Sequence, residues 1–177
     1  MSPPEVWGPP IWTLFHTLIE KLNPNVYEHI LPSMFSIIKS ICRFLPCPDC
    51  SDHASKFLAR LKLRNYKTKV EFKNMLYLFH NSVNARKRKQ LFNYTNMDKY
   101  HKLNINMVIQ NFLKHYNTRG NMRLLTESFQ RNLVKQQFIK WYYYYAKAFV
   151  NPPFKAIEIG KEPEKKPEKE PEKETTN

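Results

Sequence analysis

The chain has 177 residues, 42% of them hydrophobic, enough for one genuine core with an appendage. Only 3 glycines occur, and neither GxGxxG nor GxxxxGK[ST] is present, which excludes a glycine-rich nucleotide loop and argues against a turn-rich all-β fold. The formal net charge is +14, and residues 155–177 hold 6 Lys and 7 Glu, so the basic surplus lies in the remainder, a surface that attracts nucleic acid only non-specifically.

The elements follow helical periodicity from end to end. Met1–Pro10 reads as extended and proline-rich, with a helix beginning near Pro9 or Pro10, since proline is tolerated in a first turn. Ile11, Trp12, Leu14, Phe15, Leu18, Ile19 and Leu22 form its apolar stripe, to about Lys21. After Asn23-Pro24-Asn25 a second helix runs from Val26 or Tyr27 to Phe44, with Ile30, Met34, Ile37, Ile38 and Ile41 on one side. Leu45-Pro46 interrupts it. A third helix starts at Cys47-Pro48-Asp49-Cys50 and buries Phe57, Leu58 and Leu61. Arg64–Lys69 is a polar break. A fourth helix spans Val70 to Lys89, with Phe72, Met75, Leu76, Phe79 and Val83 inward, and Asn93–Asn96 opens a short one near Met97–His101.

Four helices on short connections predict an all-α, four-helix bundle with a short fifth helix. Two further helices are expected at 103–117 and about 122–150. The first carries Ile105, Val108, Ile109, Phe112 and Leu113. The second carries Leu124, Leu125, Phe129, Leu133, Phe138, Trp141, Tyr145 and Phe149, with a break at Asn117–Asn121 between them. The aromatic run Trp141–Tyr145 reads as packing on the bundle or on a second subunit. The KEPEKKPEKEPEKETTN repeat has almost no apolar residues and reads as a disordered tail. The expected organisation is a bundle over 1–101, a helical extension over 102–151 and the tail over 152–177.

Three cysteines are too few for a disulfide scaffold. No N-terminal segment has the layout of a signal peptide, and no run reaches the roughly 18 apolar residues of a membrane span. The expectation is a chain that is not secreted and stays in a reducing, cytoplasmic compartment. There, Cys47 and Cys50 are a working redox pair or half a zinc site. Zinc needs four ligands, so Cys42, His53 or His80 must complete it. Otherwise Cys42 is a buried apolar thiol.

A helix start favours a thiolate, because unpaired N–H groups point at it, although Asp49 opposes the effect. In such helices the first thiol is the more exposed. Cys47 is then the candidate to exchange with a substrate, and Cys50 to face inward. A dithiol alone cannot create oxidising equivalents and needs an electron acceptor. His53 shares a helix face with Cys50. Trp12 and His16 lie four apart, and His80, Asn81 and Asn84 cluster before Arg86-Lys87-Arg88-Lys89. Stacking aromatics, imidazoles, amides and a cationic end suit a planar dinucleotide such as FAD.

Trp7-Gly8-Pro9-Pro10-Ile11-Trp12-Thr13-Leu14-Phe15-His16 resembles the WGxxxWxxLH opening of the Erv/ALR FAD-linked sulfhydryl oxidases, with Phe15 where leucine is usual. Cys47-Pro48-Asp49-Cys50-Ser51-Asp52-His53 resembles their CxxCxxH. His80-Asn81-Ser82-Val83-Asn84, then Lys89 and Phe92, resembles their HNxVNxxxxKxxF. The match covers roughly residues 5–101. The resemblance implies non-covalent FAD at the bundle mouth and, usually, a homodimer. It implies that Cys47 takes electrons from protein thiol substrates and that Cys50 lies against the flavin ring. Electrons then pass to O2, giving hydrogen peroxide. Gly8, Trp12, His16, Cys50 and His53 would line the flavin. His80, Val83, Asn84 and Lys89, with Asn81 beside them, would hold the adenine and phosphate side.

Cellular members usually carry a second, shuttle cysteine pair and a structural CX16C disulfide, and these residues hold neither. The chain is closer to the short versions of large DNA viruses that replicate in the cytoplasm. Substrates then reach Cys47 directly or through a thioredoxin-like carrier. The rival reading is a basic helical nucleic-acid-binding or virion assembly protein with an incidental or zinc-binding CxxC.

Overall fold

The computed structural model describes residues 3–116 and 125–150. Seven helices occupy these residues: α1 (Pro4–Lys21), α2 (Tyr27–Arg43), α3 (Pro48–Ala59), α4 (Lys69–Arg86), α5 (Lys99–Lys102), α6 (Ile105–Tyr116) and α7 (Leu125–Tyr144). The fold is all-α, with the four long helices, the short fifth and the two further ones in the expected order. The break at 117–121, the start of the last helix at 122–124 with Leu124, and the tail at 152–177 lie outside the described residues, as does the side chain of Leu125.

α1 begins five residues before the expected point. Pro3 is its N-cap and Pro4 stands at N1, so Pro9 and Pro10 fall inside the helix. The two prolines remove two N–H groups from the second turn. Gly8 eases this arrangement, because a residue before proline resists helical backbone largely through its Cβ, which glycine lacks. At its other end, α1 is capped from a distance. The Lys69 ammonium donates to the Glu20 and Leu22 carbonyls at 2.8 Å each, satisfying carbonyls that the helix cannot.

α4 starts at Lys69, one residue before the expected point, because Thr68 and Glu71 form a capping box. The Glu71 N–H donates to Thr68 Oγ1 at 3.2 Å, and the Thr68 N–H donates to Glu71 Oε2 at 2.8 Å. α4 also ends three residues before Lys89. Arg88 takes a left-handed backbone at φ 53°, and the Lys89 N–H donates to the Asn84 carbonyl at 2.9 Å. With the Arg88 N–H on the Ala85 carbonyl at 3.0 Å, this is a Schellman close built without glycine. It turns the chain so that Phe92 returns over the bundle.

α1 packs against α4, α5 and α6, while α2 packs against α3 and α7. One core joins all of the long helices. Leu14 and Leu18 of α1, Ile38 of α2, Phe72 of α4, Phe112 of α6 and Phe138 of α7 are fully buried in it. The Tyr116 hydroxyl donates to the Ile41 carbonyl at 3.0 Å, and Trp141 Nε1 donates to Ser33 Oγ at 2.9 Å. The aromatic run therefore divides. Trp141 and Tyr142 pack inward, whereas Tyr143 and Tyr144 are exposed. Phe129, among the apolar residues of this helix, is 59% exposed. The inward face of α7 is set by Arg131, Val134, Phe138 and Trp141, and Phe129 lies half a turn from Arg131. Past α7 the chain pairs briefly with the end of α1: the Asn23 N–H donates to the Ala148 carbonyl at 2.8 Å and the Val150 N–H to the Lys21 carbonyl at 2.9 Å.

Candidate active site

Cys47 is the N-cap of α3, in extended backbone, and Pro48 stands at N1. A disulfide joins Cys47 to Cys50 across a Cα separation of 5.2 Å. The Cys50 N–H donates to Cys47 Sγ at 3.3 Å, so the sulfur takes the place of a capping oxygen. Arg86 of α4 donates to the Asp49 carbonyl at 3.3 Å, tying the CxxC turn to the C-terminal end of α4.

A cavity of about 340 Å³ opens between α1, α3 and α4. It falls in the usual size range of small-molecule sites. Gly8, Trp12, Cys50, His53, His80, Val83, Asn84 and Lys89 line it, so the structure brings together eight of the expected site residues from three separated motifs. Cys47 is not on its wall. The two thiols of one disulfide thus differ in what they face.

One wall is a continuous aromatic stack. Trp12 lies on His80 at a centroid distance of 4.2 Å and an interplanar angle of 9°, and His80 lies on Phe92 at 4.9 Å and 19°. Phe79 meets Trp12 edge-on at 5.0 Å. The rim is cationic, with Arg86, Lys87, Lys89 and Lys99. The Lys99 ammonium sits 5.1 Å from the ring centres of both Phe92 and Tyr100. Lys89 pairs with Glu5 at 2.7 Å across the mouth, both side chains being largely exposed.

His16 and Asn81 stand behind this wall rather than on it. His16 is fully buried, and its Nε2 lies 3.0 Å from His80 Nδ1. Its ring stacks on Tyr100 at 4.8 Å, and it is not on the cavity wall. Asn81 spends its amide on one residue: its Nδ2 donates to the Phe92 carbonyl at 3.0 Å, and its Oδ1 accepts from the Phe92 N–H at 2.7 Å. That pair of bonds holds the Phe92 ring over His80.

The structure adds cavity residues that the sequence reading did not assign: Trp7, Phe79, Lys99, Tyr100 and Cys42. Lys99 and Tyr100 had a signal, since the short fifth helix was expected, but nothing local says which way it faces. Cys42 is free and buried, and burial pushes its thiol well above the ordinary range, so it stays protonated. Among the described residues, no group of three or more His, Cys, Asp or Glu side chains is gathered as a metal site.

The buried histidine pair is neutral. Burial, then His80 and nearby lysines, lowers His16 to about 3, and burial with Lys99 lowers His80 to about 4. Above the unfolded value of 6.5 neither state is protonated and no stability is lost. Below it the unfolded histidines take protons that the folded ones refuse. Stability then falls by up to about 1.4 kcal/mol per pH unit for each histidine, until the folded values are reached. The melting temperature is expected to drop steadily between pH 6.5 and 4. His80→Phe, which keeps a ring against Trp12, removes about half of the slope. A melting temperature flat over that range refutes the buried neutral pair.

The sequence model of the Erv1/Alr family matches residues 9–102, more than half of the chain. The chain belongs to the Erv1/Alr family. A protein of Invertebrate iridescent virus 6 whose name assigns it as an FAD-linked sulfhydryl oxidase, 347L, is 30% identical over 94 residues, covering 50% of this chain and 85% of that relative. A second so named, 096R of Invertebrate iridescent virus 3, is 33% identical over 90 residues, covering 49% of this chain and 59% of that relative. No solved structure matches the chain. As an Erv1/Alr member it keeps all three motifs, and the cavity is where they meet. Everything from Leu103 onward, including α6 and α7, lies beyond the family match.

Proposed function

We propose that this Erv1/Alr chain is an FAD-linked thiol oxidase that makes disulfides in other proteins. One observation carries the reading: a CxxC disulfide stands at the edge of an aromatic, cation-rimmed cavity, with Cys50 alone of the pair on its wall. The residues present fit the cofactor. His53 Nδ1 is buried without a hydrogen-bond partner in a side chain on that wall, and a Cβ built on Gly8 meets nothing within 4 Å beyond its chain neighbours. An unpaired polar atom beside open, aromatic-lined space is what a planar ligand with polar edges would complete.

The exchange steps belong to the two cysteines. A substrate thiolate attacks Cys47 Sγ, and Cys50 leaves as a thiolate. A second substrate thiolate then attacks the substrate sulfur of the mixed disulfide and releases Cys47. The substrate has lost two electrons and two protons, and the chain's disulfide has become a dithiol. FAD, when bound, supplies the acceptor that returns the pair to a disulfide and passes the electrons to O2 as hydrogen peroxide. Trp12, His80 and Phe92 provide the stacking face, with His53 and Asn84 as polar edges beside Gly8 and Val83. Lys87, Lys89 and Lys99 offer charge to phosphates, and Lys89 exchanges Glu5 for that partner. His16 and Asn81 act as positioning residues, fixing His80 and Phe92.

Protein thiols are the substrates, reached directly or through a thioredoxin-like carrier, and the family resemblance supports a homodimer. The viral relatives support action in the cytoplasm of an infected cell or in the virion. Among the described residues, no helix is long and apolar enough to cross a membrane. The test is optical. Purified protein is yellow, bleaches on adding dithiothreitol without oxygen and regains its colour in air, with one peroxide formed per O2 consumed. Colourless protein, or a flavin spectrum indifferent to dithiol, sinks the reading.

Gly8 gives a separable check. Gly8→Ala leaves the melting temperature nearly unchanged, because the gain of about 0.5–1 kcal/mol from a better helix former is offset by the clash before Pro9. The added methyl enters the cavity, so FAD affinity falls roughly tenfold, about 1.4 kcal/mol, as read by fluorescence titration. Unchanged affinity removes Gly8 from the flavin wall.

A further inference from the structure

A second cavity, of about 350 Å³, lies on the other side of the CxxC turn. Its walls come from Arg43, Pro48, Ser51 and Asp52 on one side and from Glu127 and Arg131 of α7 on the other. Pro48 directly follows Cys47, and the Ser51 N–H donates to the Cys47 carbonyl at 2.9 Å. The neighbours of the outer thiol thus form one wall of this cleft, while the inner thiol lines the flavin cavity.

Arg131 is the unusual member. It is the largest fully buried side chain among the described residues, 1% exposed, and its Nε is buried without a hydrogen-bond partner. Among the described residues its ion pair is to Glu127 at 3.7 Å, longer than a hydrogen bond, and Glu127 is itself 44% exposed. A buried Nε–H with no acceptor carries a cost that an incoming partner would relieve. The other carboxylate on the wall, Asp52, is held by Lys56 at 2.8 Å. A planar five-donor fork with an unused edge matches an incoming carboxylate, and the exposed Arg43 adds positive charge at the entrance.

We infer that this cleft seats an acidic side chain of the substrate polypeptide, Asp or Glu near its cysteine, and so brings the substrate thiol to Cys47. The inference rests on the thiol oxidase reading and adds the recognition element. Its buried arginine, Arg131, stands on α7, outside the family match, so the element comes from this chain's own extension.

Two reduced peptides test it, each with a cysteine pair and differing only in Glu or Gln beside the first cysteine. Oxygen consumption gives kcat/KM for each. The wild-type chain oxidises the Glu peptide about tenfold better at low salt, and added salt narrows the gap. In Arg131→Gln the ratio falls to about one, and Arg131→Lys, which keeps the charge but loses the fork, is intermediate. A merely structural Arg131 slows both peptides equally and leaves the ratio near ten, which overturns the proposal. So do equal rates in the wild type, a result that needs no variant to fold. Dithiothreitol, which has no carboxylate, separates the two levels: wild-type protein inert to it fails as an oxidase, whereas protein active on it but indifferent to Glu fails only at this cleft.

Discussion

Cys50→Ser is expected to stay yellow and to lose dithiothreitol-dependent oxygen consumption, to under about 1% of the wild type. The substitution changes one atom on the cavity wall, where serine fills nearly the same space. The stack of Trp12, His80 and Phe92 is untouched, so flavin stays bound. What is lost is the leaving group. Without a sulfur at position 50, Cys47 has no disulfide partner, and an attacking thiolate has nothing to displace. Cys47→Ser also stops turnover, but its remaining thiol faces the flavin cavity rather than the substrate. Turnover within a few-fold of the wild type in Cys50→Ser removes the assigned roles of both cysteines.

Phe112→Ala is expected to cost about 3–5 kcal/mol, the range for truncating a fully buried aromatic residue. Phe112 lies far from the cysteines in sequence and outside the family match, yet it is 0% exposed. Its ring packs on Tyr116 at 5.0 Å and edge-on to Phe138 at 5.4 Å, within the same core as Leu14 and Leu18. Against a typical domain stability of about 5–15 kcal/mol, the loss is large. Denaturant unfolding of Phe112→Ala measures it, with the flavin spectrum lost at the same midpoint. A chain ended after Lys102 goes further: it bares the α1 face that α6 covers, and is expected to aggregate or to lose flavin. A cost under about 1 kcal/mol for Phe112→Ala shows α6 to be dispensable packing.

The three motifs were legible because each is local. Cys47 to His53 lie on one helix start, Trp12 and His16 on one helix, and His80 to Asn84 on another, so spacing alone fixes their relative directions. Element boundaries were harder where capping decided them. Thr68 and Glu71 form a capping box whose spacing stands in the sequence, whereas the left-handed Arg88 carries no sign in its residue type. The buried face of α7 was not legible, because the aromatics of Trp141–Tyr145 surround the helix and leave periodicity with no single answer; Phe129 is exposed.

Local chemistry along the chain determines the helices, the disulfide at a helix start and the set of groups that can hold a flavin, since each depends on residues within a turn or two. What faces what was decided only in three dimensions. His16 sits behind His80, Asn81 clamps Phe92, and Cys42 reaches the cavity it shares with Cys50. Arg131 arrives beside the CxxC turn from α7, across eighty residues of chain. The physical reason is that helical periodicity states which face is apolar but not which neighbour will cover it. That choice belongs to the packing of whole helices, and here the packing puts one thiol of the disulfide, Cys50, on a cavity wall and leaves Cys47 off it.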